Sequence, residues 1–349
     1  MIDHSKTEIV TITEDSFVTK WNHFLQICPG GNFYQNYEWK LVNENHFKHQ
    51  AHFLAAINSD EVVGIFPFVE IKSHIFGHIL CSMPFVNFGG IAAVDQNAKD
   101  SLMDEAYRIS DNLGVDFLEI RGFSRTKESL PVNTNKISMT LPLADDSDTL
   151  WSSFKSKHRT NIRRAYKNNL TTKCGHFDLL DDFYQIMCQS WRSLGTPIYS
   201  KSYFSTILET FADRVKIFVT YADKTPIATA FNGHFQKTVE GMWAGSLPNS
   251  RKLQPNYVLY WEMMKDACDS GFQEYHLGRS SADSTSESFK KKWNAVSKQL
   301  YWEYYLPSGD SMPQINVDNP KYALAIRLWR QLPISATRVI GPLISRSIP

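Results

Sequence analysis

The chain has 349 residues, of which 42% are hydrophobic and 13% aromatic, and its 37 Lys plus Arg against 36 Asp plus Glu leave a formal net charge of +1. That length exceeds what one core usually fills, so two domains of about 150–175 residues are expected, and the apolar content excludes a disordered chain. The near-neutral balance excludes a general nucleic-acid coat, DNA included, so any anion site has to be local.

In chain order, residues 15–26 and 37–45 read as helices, and 51–57 and 62–71 as strands joined by the turn residues Asn58, Ser59 and Asp60. A helix over 102–113 ends at Gly114, a glycine in the usual C′ position, and a strand over 115–121 follows. The segment 155–170, KSKHRTNIRRAYKNNL, then carries six Lys or Arg and no acid. As a helix it turns Phe154, His158, Ile162 and Ala165 towards a core and sets Lys155, Arg159, Arg163 and Lys167 at i, i+4 on another side, with Lys157 and Arg164 alongside. Like charges at that spacing repel by about 0.2–0.5 kcal/mol per pair, so a docked anion such as a phosphate explains the row better than a solvated face neutralised by acids from elsewhere. Further on, helices are expected at 181–194 and 201–211 and strands at 215–221, 227–235 and 238–245. A helix opening at Pro255 and closed by Gly271, and a strand over 272–277, complete the pattern.

The two halves repeat. At a constant offset of 157 and without a gap, Leu102 aligns with Leu259, Glu105 with Glu262, Arg108 with Lys265 and Gly114 with Gly271. Each half reads as helices, antiparallel strands, a central helix and another strand. The expected organisation is a first domain over 1–145, a basic linking helix over 146–172, a second domain over 173–310 and a basic amphipathic tail over 311–349.

Cys28, Cys81, Cys174, Cys188 and Cys268 are odd in number and far apart without a CxxC pair, which argues for reduced core thiols rather than a disulfide framework or a zinc site. His46, His49 and His52 are spaced by three but straddle a helix-to-strand boundary with no companion cysteine or carboxylate, so no metal site is expected. The opening MIDHSKTEIVTITEDS has no basic segment leading into an apolar run, and no stretch approaches the roughly 18 apolar residues of a membrane span. A cytoplasmic protein is the expectation.

The order of elements resembles the GNAT acetyltransferase superfamily, and two such units joined by a basic segment resemble its FemAB branch. SKHRTNIRRAYKNNL is similar to that family's K-x-R-x-N-I-R-R-A stretch, and GRSSADSTSESFKKKWNA, over 278–295, to its G-R-S and F-K-K-x-W pattern. MPFVNFGG at 83–90, SLGTPIYS at 193–200 and the terminal WRQLPISATRVIGPLISR resemble the FemAB-like subfamily found with exosortase (PEP-CTERM) and exopolysaccharide gene clusters. The resemblance implies an α/β (α+β) fold of tandem GNAT-like domains, each a mixed, mainly antiparallel sheet flanked by helices. It further implies an N-acyltransferase that moves an acyl or aminoacyl group to an amine without a covalent enzyme intermediate. No cofactor is held tightly; aminoacyl-tRNA or acyl-CoA serves as co-substrate. The acceptor implied is an anionic, amine-bearing peptidoglycan, cell-envelope or exopolysaccharide precursor, a nucleotide- or lipid-linked sugar or peptide. One departure is the lack of glycine from Ser280 to Ser288, where the family pattern usually has it.

In the ordinary acetyltransferase fold a Q/R-x-x-G-x-G/A loop at the start of the central helix holds the pyrophosphate of coenzyme A. Here that place reads Arg251-Lys252-Leu253-Gln254-Pro255-Asn256, with the arginine kept and both glycines gone, which argues against a standard coenzyme A grip. The candidate anion- and substrate-binding residues are therefore Lys157, Arg159, Arg163, Arg164, Arg251, Asn256, Tyr257, Arg279 and Lys290. Glu240 and His276 are weighed as general base, and the catalytic assignment stays open. Trp243, Tyr257, Tyr260 and Trp261 suit an acceptor groove, although aromatic stripes at such spacings are more often core.

An acyl-CoA-dependent acetyltransferase of a sugar amine and a non-catalytic, polyanion-binding scaffold in export are the competing readings. Over 319–349, Lys321, Arg327, Arg330, Arg338 and Arg346 are interleaved with Leu324, Leu328, Trp329, Ile340 and Leu343 without an acid. That pattern suits either peripheral contact with the inner face of a membrane or packing back on the protein.

Overall fold

The computed structural model describes residues 7–12, 16–73, 76–309, 312–313 and 320–349. The expected helix start at Asp15 and the tail residues 310–311 and 314–319 lie outside the described residues. The chain divides into two compact units: Met1–Asn135, Gln299–Ile315 and Ser347–Pro349 form one, and Lys136–Lys298 with Asn316–Arg346 the other.

In the first unit β1 (Glu8–Thr11) leads into α1 (Ser16–Ile27) and α2 (Glu38–Val42), which continues as a π-helical turn over Asn43–Phe47. Strands β2 (Ala51–Asn58), β3 (Glu61–Ser73) and β4 (Gly77–Cys81) follow in antiparallel succession, with the short β5 (Ala92–Ala93) also against β3. Helix α3 (Gln96–Leu113) is capped by Asp95, whose side chain accepts from the Ala98 N–H, and ends at Gly114 in a left-handed conformation. It buries Ala98, Leu102 and Ala106, at spacings of four, against Leu54, Phe66 and Leu118 of the sheet. The helix delivers the chain to β6 (Phe117–Gly122), parallel to β4, and β7 (Val132–Asn133) follows. Between β6 and β7 in the sheet lies the strand Tyr301–Tyr305 from far along the sequence.

The second unit opens with β8 (Lys136–Pro142), α4 (Ser147–Ser153), α5 (Ser156–Tyr166) and β9 (Leu170–Gly175). Then come α6 (Leu180–Leu194), α7 (Lys201–Phe211), β10 (Val215–Ala222), β11 (Thr225–Phe235) and β12 (Thr238–Ser246). Helix α8 (Pro255–Asp269), β13 (Glu274–Ser281), α9 (Thr285–Lys291), β14 (Val296–Gln299), α10 (Pro320–Trp329) and α11 (Ile334–Ser345) complete it. Its sheet order is β14-β8-β13-β12-β11-β10-β9, with β12 and β13 parallel.

The repeat is visible in the topology. The series β2-β3-β4-α3-β6 matches β10-β11-β12-α8-β13, each an antiparallel arm followed by a helix and one parallel pair. Phe117 and Glu274, which head the strands paired in parallel, stand at the offset of 157 found in the sequence.

Three boundaries differ from the sequence reading. Lys136–Pro142, read as the end of the first half, hydrogen-bonds to β13 in the second sheet, and Tyr301–Tyr305, read as the end of the second half, hydrogen-bonds to β6 in the first. Each unit thus closes its sheet with a strand that local sequence would give to the other, because alternation marks a strand but not its neighbour. The basic helix is not a free linker: Phe154 and Ile162 share a core with Leu259, Met263 and Met264 of α8, and Leu170 already begins the edge strand β9.

Candidate active site in the second unit

The parallel pair β12·β13 is short. It registers Thr238 with Glu274, Val239 with Tyr275 and Glu240 with His276, then stops, although β12 runs on to Ser246 and β13 to Ser281. Just past the last pair, β13 shifts register against β8 between His276 and Arg279, at a left-handed Gly278 with φ 75°. Helix α9 brings Lys290 to this bulge. The lysine is 5% exposed, and its Nζ donates to the carbonyls of Gly278 at 3.0 Å and Arg279 at 2.9 Å. Burial, and secondarily the Arg279 guanidinium, push its ammonium down to about 7. An ammonium has three N–H donors, so one remains beyond those two carbonyls.

The glycine-poor loop before α9 forms without difficulty. Asp283, at φ 58°, takes the left-handed position, the Ser284 side chain caps the Glu287 N–H, and Glu287 accepts from the Asp283 N–H.

The first unit treats the same place differently. Arg121, the residue at offset 157 from Gly278, offers its carbonyl to the Gly89 N–H at 3.2 Å, while the Ser82 N–H donates to Glu119 O and the Ser82 hydroxyl accepts from the Arg121 N–H. The buried segment 83–90 therefore holds that strand edge with backbone. In the second unit a side-chain cation holds it instead.

On α5, Lys155, Lys157, Arg163, Arg164 and Lys167 are exposed, and none has a carboxylate within ion-pair distance among the described residues. Arg163 lies over the Trp151 ring at 5.3 Å, and half-buried Arg159 donates to Ser152 O at 2.9 Å. The opposite face buries His158, Ile162 and Ala165, as the spacing predicts. The His158 ring sits 4.3 Å from Trp293 and 5.5 Å from both Phe154 and Tyr257, and neither of its nitrogens has a hydrogen-bond partner among the described residues. Tyr257 in turn meets Phe289, the neighbour of Lys290. So α5, the first turn of α8 and α9 converge on one aromatic cluster. Phe154, His158, Phe289 and Trp293 are the members of this cluster that sequence reasoning did not assign to the site.

Burial, then Lys292, lower the His158 ring to about 4. A depressed folded value means that the stability linked to neutral His158 is complete above its ordinary 6.5 and is lost as pH falls through about 4. His158→Phe should leave the melting temperature at pH 7 equal or higher and should flatten its decline between those two pH values. Parallel acid melts of the two proteins check this.

The start of α8 is not a glycine loop but still turns left-handed. Gln254 adopts φ 56° and ψ 46°, and its Oε1 is buried without a hydrogen-bond partner among the described residues. A side chain thus fills space that a glycine would leave open to a phosphate. Pro255 has no N–H, and the Tyr257 N–H is already bonded to Gln254 O, which leaves few donors for an anion. Arg251 is exposed on the preceding 3₁₀ turn, where Leu253 O accepts from the Asn168 side chain just past α5, and Asn256 is half-buried.

His276 and Glu240 do adjoin the end of the parallel pair, but the histidine is not in the state a base needs. His276 Nδ1 lies 2.7 Å from Glu240 and Nε2 3.5 Å from Glu274. Burial opposes protonation, yet the two carboxylates, Glu240 foremost, raise the ring to about 9. At neutral pH it is an imidazolium, a charged tie between β12 and β13 rather than a proton acceptor. Trp243 packs against Phe204 and Phe231 in a core, and Trp261 lies edge-on to Trp151. His49 and His52 stack on Phe85 and Phe68. A pocket of about 290 Å³ between β9, β10 and α8 is lined by Glu262, Asp266 and Asp269 besides Lys265, the wrong sign for an anionic donor.

An antiparallel arm, a central helix and a short parallel pair, twice over, define a tandem GNAT architecture, and the site belongs to its second copy. Residues 156–291, from the first residue of α5 to the last of α9, match the sequence family described as Acetyltransferase (GNAT) domain. No curated protein matches the chain. Among solved structures the chain resembles FemX, at 16% identity and a TM-score of 0.66, covering 91% of this chain and 100% of that one. It also resembles the C-terminal domain of a putative lysylphosphatidylglycerol synthetase from Agrobacterium fabrum, at 11% identity and a TM-score of 0.56, covering 83% and 91%. A tandem GNAT protein from the clavulanic acid biosynthesis pathway superposes at 9% identity with a TM-score of 0.52, covering 88% and 100%.

Proposed function

We propose that the protein is an N-acyltransferase of the FemAB-like kind, which moves an aminoacyl group from an ester donor to the free amine of an anionic cell-envelope or exopolysaccharide precursor. The observation that carries this reading is Lys290, a buried ammonium at the point where β13 leaves β12, with a donor beyond the two carbonyls it already serves. In this reading the acceptor nitrogen attacks the ester carbonyl, the oxygen becomes an oxyanion steadied by Lys290, and the C–O bond breaks. The amine proton leaves with the departing alkoxide as a hydroxyl, and an amide remains. Direct transfer asks the protein for alignment and charge rather than a nucleophile. Arg279 and the outward cations of α5 would orient phosphates of donor or acceptor.

Aminoacyl-tRNA is preferred to acyl-CoA as donor because Gln254 and Pro255 replace the open glycine loop a pyrophosphate needs. The name of one structural neighbour, a lysylphosphatidylglycerol synthetase, supports an aminoacyl reading. The test is purified protein with labelled aminoacyl-tRNA or acyl-CoA, each with amine-bearing envelope precursors, read as new amide. Transfer from acyl-CoA alone overturns the donor assignment, and none from either favours a polyanion-binding scaffold.

Lys157→Glu combined with Arg164→Glu should weaken productive binding by about tenfold or more at low salt, since each reversed charge forfeits on the order of 1 kcal/mol beside an anion. Both residues are exposed, so melting should not change. KM measured across ionic strength checks it; a KM equal to wild type at every salt would make the row mere solvated surface.

A further inference from the structure

Helices α10 and α11 attach to the second unit along narrow seams. Ile326 packs against Gly195, where a side chain would collide with it, and Arg330 donates to Leu194 O at 3.1 Å. On α11, Thr337, Gly341 and Ser345 are the buried positions at i, i+4 and i+8. Gly341 lets that helix approach the Ile198 backbone, and the Ser345 hydroxyl donates to Ile198 O at 3.2 Å. These helices turn several large apolar side chains outward. Leu324 is 67% exposed, Leu328 55%, Val339 71%, Ile340 39% and Leu343 67%. Those five are among twelve large hydrophobics this exposed in the described residues, although the two helices hold only 10 and 12 residues. Isolated exposed leucines need no explanation; such a concentration does.

Charge selects the occupant. Residues 320–349 contain Lys321, Arg327, Arg330, Arg338 and Arg346 and no acid, while the whole chain nets +1, so the remainder nets −4. Arg327 and Arg338 are exposed on the same helices as the outward leucines, and Arg346 is exposed just past α11. A second copy of this chain would bring its own exposed arginines against these and repel them. A surface that is apolar beneath and negative above accepts both features together. No helix of the described residues is long and apolar enough to cross a bilayer.

We infer that the outward faces of α10 and α11 seat this protein on an anionic phospholipid surface, each helix lying in the headgroup layer rather than spanning it. This inference stands apart from the proposed transfer chemistry, because none of its residues belongs to the candidate active site.

The experiment is flotation of the full chain with phosphatidylcholine vesicles and with phosphatidylcholine vesicles containing phosphatidylglycerol. Wild type should float with the anionic vesicles only, and less as salt rises. Arg327→Gln should lower the partition coefficient about fivefold, from roughly 1 kcal/mol per cation. Leu324→Gln with Leu343→Gln should lower it about tenfold or more. Both variants should melt with wild type, since the sites are exposed; if the leucine pair melts lower, Val339→Gln replaces it. Absence of wild-type flotation, equal flotation with both vesicle types, or variants that float as wild type would overturn the inference. So would a lipid-free dimer that the leucine pair abolishes, which would name a second copy as the occupant.

Discussion

Replacing Lys290 with methionine should lower the single-turnover rate of amide formation by about 10²–10³, the usual cost of removing one preorganised oxyanion donor. Methionine keeps the length and apolar stem of the side chain and deletes only the ammonium. Two backbone carbonyls, of Gly278 and Arg279, then lose their donor, at about 1–3 kcal/mol each, while a buried charge disappears and offsets part of that loss. A modest fall in melting temperature is therefore expected, and the rate is to be measured well below it. A rate within a factor of a few of wild type would make Lys290 a structural tie and remove the main support for the proposed transfer.

The pH dependence separates the two roles. With its folded value pushed down to about 7, Lys290 is charged below that pH and neutral above it, so its donor contribution to the rate should fade as pH climbs past 7. The stability effect has the opposite sense. The unfolded chain keeps the proton up to the ordinary lysine value of 10.5, so wild type should gain stability relative to Lys290→Met as pH rises from about 7 to 10.5. Rate and melting profiles of both proteins over that range check the two statements independently.

Glu119→Ala should destabilise the first unit by about 3–5 kcal/mol, the cost of stranding a buried charge. Arg121 is 1% exposed and bonds Glu119 through Nε and Nη2, both at 2.6 Å; Tyr304 donates to the other carboxylate oxygen at 2.7 Å, and the guanidinium faces the Trp302 ring at 4.4 Å. With roughly 2–4 °C lost per kcal/mol for a domain of this size, the melting transition should fall by about 10 °C. Glu119→Met with Arg121→Met, which removes both charges and keeps the volume, should recover most of that loss. Calorimetry on the three proteins decides it, and a single variant that melts with wild type would mean that water or another group reaches the arginine.

Much of this fold was legible because it rests on local signals. Gly114 and Gly271 end helices, Asn58 to Asp60 make a turn, and the spacing of Phe154, His158, Ile162 and Ala165 reports a buried helical face. The repeat offset surfaced again in the two parallel strand pairs. What local pattern could not carry was which strand lies beside which: Lys136–Pro142 alternates equally well in either sheet, and only its pairing with β13 decides. The same limit applies to the site. The F-K-K run marked Lys290 as a cation, but its burial follows from a fold in which α9 tucks it under the Gly278 bulge. His276 illustrates the reverse, since its residue type suits a base, whereas two carboxylates on one ring make it an acid.

The reciprocal placement of Lys136–Pro142 and Tyr301–Tyr305 bears on the ancestry of the chain. Once two copies of a duplicated gene each close their sheet with a strand encoded by the other, neither arm can be inherited, lost or recombined alone without leaving a frayed edge behind. The pair is locked into vertical descent as one module. Within that module the two arms differ at one place: the edge that 83–90 meets with backbone in the first is met by the Lys290 ammonium in the second.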